Sequence, residues 1–269
     1  MKIAFIGGGN MGTAMFSILL NKGLVSPQAI AVCEISSERC DFLKKEYGIS
    51  VTDDAVMSVK DADVIVLAVK PQYIEKPIAD LKEKVEPGQL VLSIMAGVTI
   101  KTLTDGLGHG SIVRVMPNTP AQIGEGMSVW TATAEVTAEQ KEMAATILGA
   151  IGKELYVDDE KYLDMATAVM GSGPAYFFLF AEALIEAAEE IGFAPDVAKM
   201  LVLQTMLGSG HLIEKSDKSP AELREMVTSK GGTTAEALGV FDRGEFRSLV
   251  KRAVQAAYDR AIALGGEKK

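Results

Sequence analysis

Histidine, cysteine, aromatic residues and positive charge are all scarce in this chain. Its 269 residues include two histidines, His109 and His211, two cysteines, Cys33 and Cys40, and 6% aromatics. Two histidines in separate regions leave no material for a His-based catalytic triad, and no metal site is expected. Two cysteines outside a CxxC spacing make no disulfide framework, which favours a reduced, cytoplasmic setting. Lys and Arg number 27 against 36 Asp and Glu, a net charge of −9. A nucleic-acid binder needs a basic face to neutralise phosphate, so no nucleic-acid partner is expected, nor attraction to anionic lipid. Apolar runs are broken by charge or turn residues before about 18 positions, so no membrane span is expected.

What is present is globular: 48% hydrophobic and 23% charged residues, in a length that suits one large or two modest domains. Over the first 160 residues two periods alternate. Strands are predicted at Lys2–Gly7, Ala29–Glu34, Ala62–Val69, Gln89–Ala96, Ser111–Val115, Met127–Thr133 and Glu154–Val157. Helices are predicted at Met11–Lys22, Ser36–Tyr47, Tyr73–Val85 (interrupted by Pro77) and Ala138–Ile151. Strand, helix, strand in repetition builds right-handed βαβ units and a doubly wound parallel sheet.

Beyond about Asp159 only helical spacing remains, over Glu160–Ile191, Pro195–Ile213, a helix starting at Pro220 behind a Ser219 N-cap, and Ser248–Leu264. The expected division is therefore 1–159, an α/β domain, and 160–269, an all-helical one, with Gly265–Lys269 as a frayed tail. Stretches such as AYFFLFAEALIEAA in the second half are apolar nearly all round. Helices of that kind are buried on several sides, which a helical domain of this size achieves against a second subunit.

Gly7, Gly9 and Gly12 fit GxGxxG, directly after the first strand and opening the first helix. That context belongs to a Rossmann-like dinucleotide-binding domain: the glycines allow close approach of a pyrophosphate to free N–H groups at the helix start. Glu34 ends the second strand, 22 residues after Gly12, where a carboxylate can accept from the adenosine ribose hydroxyls. It tilts the choice towards NADH. Arg39, close behind, can pair with a 2′-phosphate, so NADPH stays open. Lys70 reads equally as a cofactor contact and as a solvated lysine, and Asn118 as a carboxamide partner or a turn cap.

In the helical half, Ser229-Lys-Gly-Gly-Thr-Thr234 makes a turn between two helices. It is expected to gather the N–H groups of Gly231, Gly232, Thr233 and Thr234 around a carboxylate. A glycine stop followed by a threonine N-cap is the other reading.

The run VTSKGGTTAEALGVFD (Val227–Asp242) closely resembles the signature of the pyrroline-5-carboxylate reductase family. The family's other landmarks stand in order: FIGGGNMG at Phe5–Gly12, AVKP at Ala68–Pro71, MAGV at Met95–Val98, RVMPNTPA at Arg114–Ala121 and GSGPAY at Gly171–Tyr176. The resemblance implies NAD(P)H-dependent reduction of the cyclic imine 1-pyrroline-5-carboxylate to L-proline. It implies substrate binding by Ser229, Gly231, Gly232, Thr233 and Thr234, with the Thr234 hydroxyl on the ring nitrogen and Glu160 as an acidic residue near the substrate. It implies cofactor contacts at Ile6, Gly7, Gly9, Asn10, Met11, Gly12, Glu34, Val69, Lys70, Pro71, Ala96 and Gly97. It also implies a homodimer through the helical domain, in some members assembled into a decamer. Many members carry a small polar residue where this chain has Glu34, so their cofactor preference does not transfer. The rival reading is another NAD(P)-dependent imine or β-hydroxyacid dehydrogenase of the same two-domain build. A hydroxyacid enzyme would display a catalytic lysine on its long helix, and residues 160–192 hold only Lys161 at their start.

Overall fold

The computed structural model describes residues 1–266. They divide into two compact units, Met1–Ser172 joined by the C-terminal segment from Ala257, and Gly173–Ala256.

In the first unit the described strands are β1 (Ile3–Ile6), β2 (Ile30–Cys33), β3 (Ser50–Thr52), β4 (Val64–Leu67), β5 (Leu90–Ser93), β6 (Ile112–Pro117), β7 (Gly126–Ala132) and β8 (Gly152–Tyr156). They form one sheet in the order β3-β2-β1-β4-β5-β6-β7-β8. All neighbours run parallel except β6 and β7, which pair antiparallel. The helices are α1 (Asn10–Asn21), α2 (Ser37–Tyr47), α3 (Ala55–Val59), α4 (Glu75–Leu81), α5 (Ile100–Leu107), α6 (Ala138–Ala150) and α7 (Lys161–Ala166). Strand alternation sends Ile3 and Phe5 to one face, into a core with Phe16, Leu43 and Ile147 from α1, α2 and α6. Ala4 and Ile6 face the other way, into a core with Val59, Leu81 and Leu103 from α3, α4 and α5. Burial on both faces explains why β1 (IAFI) and β4 (VIVL) are apolar throughout.

β3, α3 and α5 are absent from the sequence reading. The first two span three and five residues, too few to display a period, and α5 has Gly106 inside its last turn. Chain direction is likewise not written in an apolar run, so the antiparallel turn into β7 is new.

The second unit holds α8 (Gly173–Glu190), α9 (Pro195–Lys215), α10 (Pro220–Met226), α11 (Thr233–Arg243) and the first half of α12 (Phe246–Gly266). Ser219 caps α10 as expected, completing a reciprocal box with Glu222, whose carboxyl is held below its usual range by the Ser219 hydroxyl and amide. The helical stretch Lys161–Glu190, which includes a π-helical turn at Thr167–Gly171, is long and apolar enough to span a bilayer by length and composition alone. The expected tail begins as helix through Gly266, and its last three residues lie outside the described ones.

The first compact unit runs on through Ser172, past the expected division at residue 159. An ion-pair brace accompanies this: Arg114 on β6 is buried, with Nη1 2.7 Å from Glu160 and Nη2 3.3 Å from Asp164. This holds α7 to the sheet before the chain leaves it.

Candidate functional site

β1, β2, β4 and β5 end in register, with Ile6 opposite Cys33 and Leu67, and Leu67 opposite Ser93. Successive connections leave β1 on one side and β4 on the other, so a crevice opens beyond these carboxyl ends. Gly7, Gly9, Glu34, Val69–Pro71 and Ala96–Gly97 lie in the segments that follow, and Gly12 lies in the first turn of α1. Of the expected cofactor residues, Ile6 closes β1 and is buried, while Asn10 and Met11 open α1.

Each glycine of the first loop has its own reason. Gly7 has φ +105°, and a Cβ there would sit 2.9 Å from the Ala68 carbonyl oxygen. A Cβ on Gly12 would come 2.7 Å from the Gly7 oxygen. Gly9 is the opposite case: among the described residues no atom lies within 4 Å of where its Cβ would be. It caps α1 without any side-chain hydrogen bond, leaving the first-turn amides to another acceptor. Two glycines that close the turn, and a third that leaves open space at the start of a helix with no side-chain cap, fit a pyrophosphate cradle.

Glu34 is drawn into this cradle. Gly8 N–H donates to its Oε2 (3.1 Å), and Ile35 and Ser36 N–H donate to its Oε1 (2.9 and 3.0 Å). A carboxylate offers about four acceptor positions, so room for one further donor remains. Arg39 does not reach outward as the sequence allowed. Its Nε donates to the Gly8 carbonyl (2.9 Å) and its Nη2 to the Thr13 hydroxyl (2.8 Å), over the Phe42 ring. Cys33, at the end of β2, is buried filler: burial, assisted by the Glu34 charge, pushes its thiol up to about 11.

On the far side, Lys70 is exposed and Pro71 opens a short 3-10 turn. Gly97 has φ +69°, and a Cβ there would lie 2.9 Å from the Leu264 Cβ, so the end of α12 packs directly on this loop. Asn118 accepts from Met127 N–H (2.8 Å), tying its turn to β7, a role distinct from both readings offered by the sequence. Glu160 Oε1 accepts from the Ile100 amide (2.8 Å) as well as from Arg114. The structure thus shows Glu160 bracing α5, α7 and β6 together. Among the described residues no group of three or more His, Cys, Asp or Glu gathers as for a metal.

In the second unit, Gly231 has φ +71° and Gly232 caps α11, with Thr233 as the first helical residue. The N-cap is therefore the glycine, not the threonine. The expected ring of four free amides also needs correction: Gly232 N–H donates to the Ser229 carbonyl (3.0 Å) and closes the turn. Space there is tight, since a Cβ on Gly232 would fall 2.3 Å from Ser229 Oγ. Thr233 and Thr234 begin a helix that has no side-chain cap, and Thr234 is half-buried beside that turn. A helix start of this kind favours an anion, with a hydroxyl alongside.

A doubly wound sheet with a dinucleotide cradle at its switch point, followed by a helical half, defines an NAD(P)-dependent oxidoreductase of the two-domain type. A family model described as pyrroline-5-carboxylate reductase dimerisation matches residues 160–264, and one described as NADP oxidoreductase, coenzyme F420-dependent, matches residues 2–97. The chain is 41% identical over 264 residues to the pyrroline-5-carboxylate reductase of Pseudomonas aeruginosa, covering 98% of this chain and 96% of that protein. Its fold is similar to the Coxiella burnetii reductase (TM-score 0.91, 38% identity, 99% of each chain). It is also similar to the NADP-bound pyrroline carboxylate reductase of Plasmodium falciparum (TM-score 0.90, 31% identity, 99% and 98% coverage). The chain belongs to the pyrroline-5-carboxylate reductase family.

Proposed function

We propose that this protein reduces 1-pyrroline-5-carboxylate to L-proline with NAD(P)H, the final step of proline biosynthesis. Full-length family membership carries the reading, supported by the likeness of Val227–Asp242, which holds the glycine turn before α11, to the family's signature.

When bound, the reduced nicotinamide supplies a hydride to the imine carbon. The residues of the chain orient and polarise. Gly7, Gly9 and Gly12 with the start of α1 would hold the pyrophosphate. Glu34 would accept from the adenosine ribose, and its charge opposes a 2′-phosphate, so NADH is the preferred donor in our reading. Val69, Lys70, Pro71, Ala96 and Gly97 would line the remainder of the dinucleotide, with Ile6, Asn10 and Met11 supporting the loop. Ser229, Gly231, Gly232, Thr233 and Thr234 would bind the substrate carboxylate and set which ring carbon faces the donor. Gly232 contributes by closing the turn, since its amide is already engaged. A threonine hydroxyl is a poor acid, so Thr234 polarises the ring nitrogen and the proton comes from water. We assign Glu160 to bracing the substrate side through Arg114 and α5, not to direct contact.

We further infer a cytoplasmic homodimer through the helical half, with the decamer of some relatives as its larger assembly. Both cysteines are free, in keeping with a reducing compartment. The test is initial rates of NADH and of NADPH oxidation with and without the imine. Oxidation that depends on the imine, faster with NADH, is expected. Oxidation without it, or none with either cofactor, would overturn the reading.

A further inference from the structure

The dinucleotide loop is gripped from beneath by side chains of β2 and α2, and the grip has a direction. Gly8 is buried, and its N–H donates to Glu34 while its carbonyl accepts from both Arg39 Nε (2.9 Å) and the Thr13 hydroxyl (3.1 Å). Arg39 Nη2 also donates to Thr13 Oγ1, so arginine and threonine hold each other as well as the carbonyl. The guanidinium lies 4.8 Å above the Phe42 ring, on a helix whose first turn is fixed by Ser36. All peptide bonds among the described residues are trans. In a trans peptide the carbonyl and the following N–H point opposite ways in one plane. Holding the Gly8 carbonyl towards α2 therefore turns the Gly9 N–H away from α2. An added Gly9 Cβ would itself have no neighbour among the described residues within 4 Å. The same logic governs the preceding peptide: with Gly8 N–H on Glu34, the Gly7 carbonyl turns towards Gly12.

We propose that Arg39 is a positioning residue of the dinucleotide site. It sets the orientation of the Gly8–Gly9 peptide and so serves NADH and NADPH alike, instead of acting as a ligand for a 2′-phosphate. An arginine a few residues after the second strand ordinarily suggests a phosphate ligand. Here two of its donors are already committed to the loop. The inference rests on the reading of this crevice as a dinucleotide site.

The experiment measures NADH and NADPH dissociation constants by fluorescence, and steady-state kinetics with the imine, for wild type, Arg39→Gln, Arg39→Lys and Thr13→Val. Both Arg39 variants are expected to weaken both nucleotides by one common factor of about ten, the worth of a charge-assisted hydrogen bond. Turnover and the KM for the imine should stay within about twofold, because only cofactor binding is touched. Lysine should not rescue, since it lacks the planar fork that spans a carbonyl and a hydroxyl. Thr13→Val, which removes one hydroxyl and keeps the arginine, should weaken both nucleotides by a smaller common factor, and it carries the test if the Arg39 variants fold poorly. A loss confined to NADPH, restored by lysine, would overturn the proposal in favour of a phosphate ligand. Unchanged affinities in all variants would overturn it too. Wild type binding neither nucleotide would instead refute the dinucleotide reading beneath it.

Discussion

The two compact units bury their apolar residues very differently. In the first, two continuous cores sandwich the sheet, and Phe5, Phe16, Leu19 and Ile65 are wholly inaccessible. In the second, residues 173–256 contain only four buried positions, Gly173, Ala181, Ala198 and Val202, all of them small or medium in size. Phe177, Phe178 and Leu179 on α8 are each 66% exposed, and Met200 and Leu207 on α9 are 62% and 60% exposed. A surface like that is a face awaiting cover, and the dimerisation model spans it. One half of the chain is a core and the other is half of a core. Stability should follow from sequence position accordingly: concentration-independent in the first unit, concentration-dependent in the second.

The largest expected effect comes from putting charge on the uncovered face. Phe178→Asp and Leu207→Asp should weaken self-association at least about 100-fold, because an unpaired carboxylate would be carried into an apolar interface. Sedimentation at several concentrations reads this out. Met57→Asp supplies the contrast, since Met57 is 64% exposed but lies on α3 of the first unit. It should leave assembly and activity unchanged. Equal effects from the three would erase the distinction between the units.

Next in size is Gly152→Ala. A Cβ there would fall 1.9 Å from the Gly126 carbonyl oxygen, at φ +148° and between paired strands. Neither strand can give way without breaking the ladder, so a loss of about 3 kcal/mol is expected from the urea midpoint. That loss should not depend on protein concentration if the first unit is a self-sufficient core. Thr234→Ala should lower turnover about 10-fold or more with cofactor affinity intact, because it removes one polarising hydroxyl from the substrate turn. A turnover equal to wild type would remove Thr234 from the mechanism.

The same contrast governs what could be read from the sequence. Strands buried on both faces announce themselves as unbroken apolar runs, and Gly23 and Gly48 mark helix ends, with positive φ at both. The glycine motif and the turn before α11 were equally plain, because each needs particular residues at fixed spacing. What stayed hidden was set by partners distant in sequence. Arg39 faces Gly8 across 31 positions and Glu160 faces Arg114 across 46, and no local pattern says which acceptor a long polar side chain will find. The Gly232 amide is the subtler case. A glycine nest in the sequence suggests open donors, but closing the turn itself consumes one of them.

Within the dinucleotide loop, Gly9→Ala separates function from packing. Its backbone lies in the ordinary extended region, φ −70° and ψ −175°, and no atom among the described residues stands within 4 Å of the new methyl. The melting temperature should hold while the cofactor KM rises about 10-fold, as the methyl occupies the side meant for the pyrophosphate. Gly12→Ala should lower both, because its methyl meets the Gly7 carbonyl oxygen. A fall in stability for Gly9→Ala would mean that its open side is filled by protein.

The smallest effect expected is on cofactor choice. Glu34→Gln keeps the size of the side chain but removes its charge and one acceptor. The amide oxygen can still take the Ile35 and Ser36 N–H groups, which leaves the NH2 facing Gly8 N–H, donor against donor. NADH binding should weaken as the loop shifts, while relief of charge repulsion partly offsets the same shift for NADPH. The ratio of NADH to NADPH specificity constants should therefore fall about threefold to tenfold, roughly the worth of one screened charge near a phosphate. A ratio that does not move would mean that Glu34 serves the loop alone and that cofactor choice is made elsewhere along the crevice.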